Sequence, residues 1–81
     1  MKYPPAISTI DTLTAIWKQV LRLTSVEADD NFFDVGGDSS LALELFNQIA
    51  LCCGCELPPV TIYHAPTIAA LAQLIEHPTA P

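Results

Sequence analysis

In several stretches of the chain apolar residues recur at three- and four-residue steps, and no segment sustains the one-by-one alternation of apolar and polar residues that would argue for a sheet. The spacing that is present belongs to amphipathic helices, and the one that is missing would mark a half-buried strand. The chain is therefore expected to be all-α. In the first stretch Ile10, Leu13, Trp17, Val20 and Leu21 make one stripe. Ser8-Thr9-Ile10-Asp11 reads as a capping box, with Ser8 as N-cap and Asp11 reaching back. This helix is expected to end near Leu23, and Trp17, lying on the stripe, belongs to the core.

A second helix is expected from the serines at 39 and 40. At about 100° per residue, Ala42, Leu43, Leu45, Phe46, Ile49, Ala50, Cys52 and Cys53 fall on one half of the circle. Ser40, Glu44, Asn47 and Gln48 fall on the other, with Leu41 and Leu51 beside them as exposed leucines. Gly54 is the expected stop. Beyond it, Pro58, Pro59 and Pro66 interrupt the chain and leave room for a short turn over Thr61–His64. Thr67 then caps a last helix whose inner face is Ile68, Leu71, Ala72 and Ile75. Three main helices plus one short helix result, with a long first loop over 24–38. A loop of that length needs an anchor, and at least one of Phe32 and Phe33 is expected to fold into the core. Residues 1–8 read as a linker or frayed N-terminus, 9–76 as the domain and 77–81 as a tail.

The 81 residues allow one small domain. No run approaches the ~20 apolar residues of a membrane span, and MKYPPAIST is not a signal peptide, so no membrane role and a cytoplasmic location are expected. A net charge of -6 opposes nucleic-acid binding and favours partners with basic patches. Cys52, Cys53 and Cys55 make a poor disulfide framework and lack zinc-ligand spacing to His64 or His77, so no metal is expected. They are read as small buried apolar side chains.

Chemistry concentrates in Gly36-Gly37-Asp38-Ser39. The glycines permit unusual backbone angles and close approach. Ser39 is displayed at a helix N-terminus, where backbone donors and the dipole favour a phosphate. Three readings compete. Ser39 as a nucleophile needs a base, and only His64 and His77 offer one, without a convincing carboxylate behind them. Asp38 or Ser39 as a simple cap would leave an unmodified helical interaction module. Ser39 as an attachment point would be modified by another enzyme.

From Leu13 to Ile75 the chain resembles the peptidyl carrier (thiolation) domains of nonribosomal peptide synthesis, in the phosphopantetheine-binding acyl carrier superfamily. IWKQVL, DDNFFDVGGDSSLAL and ELPPVTIYHAPTIAALAQLIE carry the resemblance. It implies an acyl-carrier-like bundle and a covalent 4′-phosphopantetheine on Ser39, taken from coenzyme A by a phosphopantetheinyl transferase. Gly36, Gly37 and Asp38 complete the motif, and Ser40 is the alternative site. The arm's thiol would carry aminoacyl, peptidyl or related acyl groups as thioesters, and the carrier itself would not be an enzyme. Adenylation, condensation, thioesterase or tailoring enzymes are the implied partners of a monomer. Ser40 stands where the family usually has an apolar residue, Asp38 where His is commoner, and Val35 where Leu is common. An acyl carrier of a polyketide or fatty-acid system shares these features and is the alternative. A recognition face is expected at Asp38, Ser40, Leu41 and Glu44, with Ile62 and Tyr63 as contributors; core packing competes for Ile62. Met1 fits a stand-alone carrier, and Tyr3-Pro4-Pro5 fits a linker after an adenylation domain. The acyl cargo leaves no mark on the sequence.

Overall fold

A computed structural model describes residues 8–77. The expected linker and tail therefore lie, Ser8 and His77 apart, outside the described residues. Among those described, all regular structure is helical: α1 (Thr9–Leu21), α2 (Ser39–Cys53), a 3-10 helix (Pro59–Tyr63) and α3 (Ile68–Glu76). Helix α1 packs against both α2 and α3, and the 3-10 helix packs on α2.

Helix α1 starts with half of the expected capping box: Ser8 caps it, but the Asp11 carboxylate makes no bond back to the Ser8 amide among the described residues. The Ser8 hydroxyl accepts the Asp11 N–H at 3.1 Å, and Asp11 and Lys18 lie at the ends that the helix dipole favours. It stops two residues before Leu23, because Arg22 turns left-handed at φ 58° and the Arg22 and Leu23 amides both return to the Lys18 carbonyl. Leu13, Ile16, Trp17 and Val20 are its buried face. Ile16 belongs to the stripe by spacing and Ile10, in the first turn, is exposed.

In α2 the buried face is narrower than the half-circle expected: Ala42, Leu45, Phe46 and Ile49. Its centre lies between Ile49 and Ala42. Leu41 stands about 90° from that centre and Leu43 about 110°. That small difference reverses the expectation for the two leucines. Leu41 is half-buried against the core, and Leu43 is 60% exposed. Leu51 is exposed as expected, but so is Cys52, while Cys53 and Cys55 are half-buried. The cysteines are thus not uniformly core residues: on the helical circle Cys53 lies about 30° from the centre of the buried face and Cys52 about 70°. Gly54 ends α2 in the left-handed region at φ 66° and donates to the Ala50 carbonyl.

The long connection is tied at three points. Phe32 is fully buried, its N–H donates to the Pro66 carbonyl at 2.7 Å, and the Ala28 carbonyl accepts the Ala69 N–H at 3.0 Å. Phe33 is 37% exposed, so one phenylalanine anchors and its neighbour does not. Phe32 meets Trp17 edge-to-face, with centroids 5.3 Å apart. The Trp17 indole N–H has no acceptor among the described residues, so apolar contact alone holds that ring.

The short helix begins at Pro59, not Thr61, and ends at Tyr63, before His64. Proline inside a helix is disruptive, yet in its first turn the missing N–H costs nothing and the fixed φ is already helical. Ile62, at 1% exposure, is a core residue, and this removes it from the expected recognition face. Thr67 caps α3 through the Ala70 N–H, and Ile68, Leu71 and Ala72 are buried, with Ile75 half-buried beside them.

Gly37 sits against the Phe32 ring, where a Cβ would overlap Cδ2, Cε2 and Cζ. Gly37→Ala is therefore expected to destabilise the fold by ~1–3 kcal/mol through overpacking, read as a lower urea midpoint at unchanged slope.

Candidate functional site

The chain reaches α2 through a tight backbone turn. The amides of Asp34 and Val35 donate to the Asn31 carbonyl, and that of Gly37 donates to the Phe32 carbonyl at 2.9 Å. The two glycines serve different needs. Gly36 has φ 105°, outside the range of ordinary side chains, with open space where a Cβ would be. Gly37 is required by the Phe32 ring beneath it. The turn is fixed from below by the core and left bare on its outer side.

Asp38 comes next, in extended conformation, as the N-cap of α2. Its Oδ1 accepts the Leu41 N–H at 2.9 Å, and its carbonyl accepts the Ala42 N–H at 2.8 Å. This satisfies two of the backbone donors at the helix start. The amides of Ser39 and Ser40 have no acceptor among the described residues. Ser39 is exposed at the first helical position, and Ser40, next to it, is also exposed. No basic residue lies in α2; the chain's three are Lys2, Lys18 and Arg22. Any anion here would be met by backbone N–H groups and the dipole alone, which suits one phosphate at moderate strength.

Beside Ser39, Leu43, Pro59, Val60 and Tyr63 line a shallow apolar hollow floored by Ala42 and Ile62. Leu43, Val60 and Tyr63 are 60%, 55% and 61% exposed. Tyr63 stacks on Phe33 with centroids 5.4 Å apart, and Phe33 meets Phe32 edge-on at 5.5 Å. Ring contacts thus run from Trp17 in the core to Tyr63 at the surface. Of the residues expected at a recognition face, Asp38, Ser40, Glu44 and Tyr63 are exposed, Leu41 is half-buried and Ile62 is buried. Leu43, Val60 and Phe33 are exposed apolar residues in this region that were not among those expected at the face. The signal for Leu43 was present: it lies four residues after Ser39 and so shares its side of the helix. Nothing local marked Val60, whose exposure depends on how the 3-10 helix lies on α2.

The pattern of the family described as the phosphopantetheine attachment site matches residues 11–75. The chain belongs to that family. Relatives of this phosphopantetheine-attachment domain include a chondramide synthase of Chondromyces crocatus, 43% identical over 77 residues, and a dimodular nonribosomal peptide synthase of Bacillus subtilis, 41% identical over 66. The alignments cover 95% and 82% of this chain but only 2% and 3% of those proteins. Among solved structures, a peptidyl carrier protein in complex with the phosphopantetheine transferase Sfp and coenzyme A superposes with a TM-score of 0.82 at 33% identity, covering 89% of this chain and 94% of that one. An active-site mutant of a peptidyl carrier protein gives 0.81 at 32%, covering 94% and 84%. The domain is accordingly of the peptidyl carrier type.

The group that this family carries is 4′-phosphopantetheine, covalently attached and drawn from coenzyme A. When bound it supplies a long arm ending in a thiol. The mouth of α2 fits its phosphodiester: an exposed serine, two unused amides and a helix dipole, with the Asp38 carboxylate engaged by the Leu41 amide and not by those of Ser39 and Ser40.

Proposed function

We propose that the Ser39 hydroxyl is the attachment point, and that residues 9–76 act as a non-catalytic carrier of aminoacyl, peptidyl or related acyl groups in nonribosomal peptide or related secondary-metabolite synthesis. The observation that carries this reading is the exposed Ser39 at the first position of α2, beside the unused amides of Ser39 and Ser40. In the loading step the Ser39 oxygen forms a bond to the pantetheine-bearing phosphorus of coenzyme A. The pyrophosphate P–O bond breaks, adenosine 3′,5′-bisphosphate leaves, and the serine proton passes to a base on the transferase. Gly36 leaves the outer side of the turn open, and Asp38 holds the helix mouth in register while the transferase works. The test is intact mass after incubation with coenzyme A and a broad-specificity transferase: one group gained supports the reading, and none overturns it.

The partners of this reading are a phosphopantetheinyl transferase and adenylation, condensation, thioesterase or tailoring enzymes, met by a cytoplasmic monomer. A related solved structure unites an adenylation domain and a peptidyl carrier with phenylalanyl-adenylate, at 31% identity and a TM-score of 0.80. In this chain the docking face would be Leu43, Val60 and Tyr63 around Ser39, with Ser40 and Glu44 at its edge and Leu41 supporting it from the half-buried side. Leu43→Ala should slow transferase loading about five- to tenfold, or ~1–1.4 kcal/mol, by removing an exposed apolar anchor. Leu41→Ala should act mainly on stability. Initial rates by mass spectrometry, alongside urea midpoints, separate the two; equal loading rates for wild type and Leu43→Ala would take Leu43 off the face. The similarity to peptidyl carriers favours aminoacyl over malonyl cargo, and loading the two in parallel distinguishes this chain from an acyl carrier of polyketide or fatty-acid synthesis.

A further inference from the structure

The connection before Ser39 holds two adjacent phenylalanines with different surroundings. Phe32 is fully buried beneath Gly37, and Phe33 is partly exposed. The Phe33 backbone is nonetheless fixed: its N–H donates to the Asn31 Oδ1 at 2.9 Å, while the Asn31 carbonyl accepts the amides of Asp34 and Val35. The Phe33 ring meets Phe32 edge-on, with centroids 5.5 Å apart, and stacks on Tyr63 at 5.4 Å with 21° between the planes. It therefore joins the buried ring under the attachment turn to a ring of the 3-10 helix. Tyr63 has little else to hold it. It is the last residue of that helix, is mostly exposed, and lines the hollow beside Ser39 with Leu43, Pro59 and Val60. Among the described residues no hydrogen bond reaches its hydroxyl, and its one ring contact is Phe33. An aliphatic side chain could cover Phe32 as well; only a flat ring stacks on another and limits its tilt.

We propose that Phe33 is a positioning residue for transferase docking: its ring holds the Tyr63 side chain in one rotamer, as a ready-made wall of the hollow that the transferase meets. This rests on Ser39 being the attachment point and on the hollow beside it being the docking face. An exposed tyrosine without the stack is free to change rotamer, and a side chain that must be ordered on docking weakens association. Phe33 supplies that order in the free domain. It makes and breaks no bond, so its contribution lies in binding and not in the phosphoryl-transfer step at Ser39. Removing it should therefore raise KM for the carrier and leave kcat unchanged. A residue that touched the transferase directly would raise KM too, but independently of Tyr63. A double-mutant cycle separates the two roles.

The free domain is measured first, by nuclear magnetic resonance of the unmodified protein. Three-bond couplings at Tyr63 should report a single χ1 rotamer in wild type and in Phe33→Tyr, which keeps the stacked ring, and rotamer averaging in Phe33→Ala. Averaging in wild type overturns the proposal whatever the loading kinetics. Initial loading rates against carrier concentration, with coenzyme A and a broad-specificity transferase, then give KM and kcat. Phe33→Ala should raise KM about two- to tenfold at unchanged kcat, and Phe33→Tyr should keep the wild-type KM. In a Tyr63→Ala background, Phe33→Ala should add nothing further. Urea midpoints show that each variant is folded under assay conditions, and Phe33→Leu, which keeps apolar cover over Phe32 without a stacked ring, replaces Phe33→Ala if the latter folds poorly. An unchanged KM in the variant without the ring, a loss in kcat alone, or additive effects of the two substitutions overturns the proposal while the carrier reading stands. A wild type that gains no phosphopantetheine overturns the carrier reading itself, and the docking role of Phe33 with it.

Discussion

Ser39→Ala is expected to abolish loading altogether. After incubation with coenzyme A and a broad-specificity transferase, its intact mass should remain that of the bare polypeptide, while wild type gains one phosphopantetheine. The loss should be chemical and not structural. Ser39 is exposed at the first position of α2, and the cap hydrogen bond at this helix mouth comes from Asp38, not from Ser39. Alanine is the most favourable helix residue, so the fold should stay within about 0.5 kcal/mol of wild type. Ser40→Ala supplies the contrast. It is equally exposed one residue further on, shares the same free-amide environment, and should still load. A mass gain on Ser39→Ala, with none on Ser40→Ala, would move the site by one residue and keep the carrier reading; no gain on any form, wild type included, would remove the carrier reading itself.

The features legible in the sequence were those that a few neighbouring residues decide. Ser8, Asp38, Thr67 and Gly54 each end a helix through bonds to residues no more than four positions away, and each acts as its residue type predicts. Ser39 at a helix mouth was readable for the same reason. What could not be read depends on which element lies on which. Leu41 and Leu43 differ by only about 20° in their distance from the centre of the buried face of α2, so the positions of α1 and the 3-10 helix choose between them. Ile62 and Tyr63 are adjacent and both apolar in bulk, yet one is buried and the other exposed, because neighbours on a 3-10 helix point about 120° apart and packing on α2 turns Ile62 inward. Cys52 fell at the edge of the apolar half of the helical circle and is exposed, because the face that is buried is narrower than that half. The proposed docking face differs from the expected one for this reason, whereas the exposure of Ser39 at the helix mouth agrees with expectation.

The largest effect on stability should come from Phe32→Ala. Phe32 is fully buried: it meets Trp17 edge-to-face, lies under Gly37 and bonds through its amide to Pro66. It is the side chain that closes a long connection onto the core. Truncating a buried phenylalanine costs ~3–5 kcal/mol, and the flat backbone of Gly37 offers no atoms to fill the space. A domain of 81 residues stands at the low end of the ~5–15 kcal/mol range of native stability, so much of the folded margin would go. The urea midpoint should fall steeply, and loading should fall with the folded fraction, because the turn that presents Ser39 rests on this ring. A double-mutant cycle gives the sharper result. Gly37→Ala destabilises wild type because its Cβ meets the Phe32 ring, so in the Phe32→Ala background the same substitution should cost nothing or recover stability. Additive effects of the two substitutions would mean that Gly37 is needed for its backbone conformation and not for the ring beneath it. A loss below about 1 kcal/mol for Phe32→Ala alone would place the anchor of the loop elsewhere.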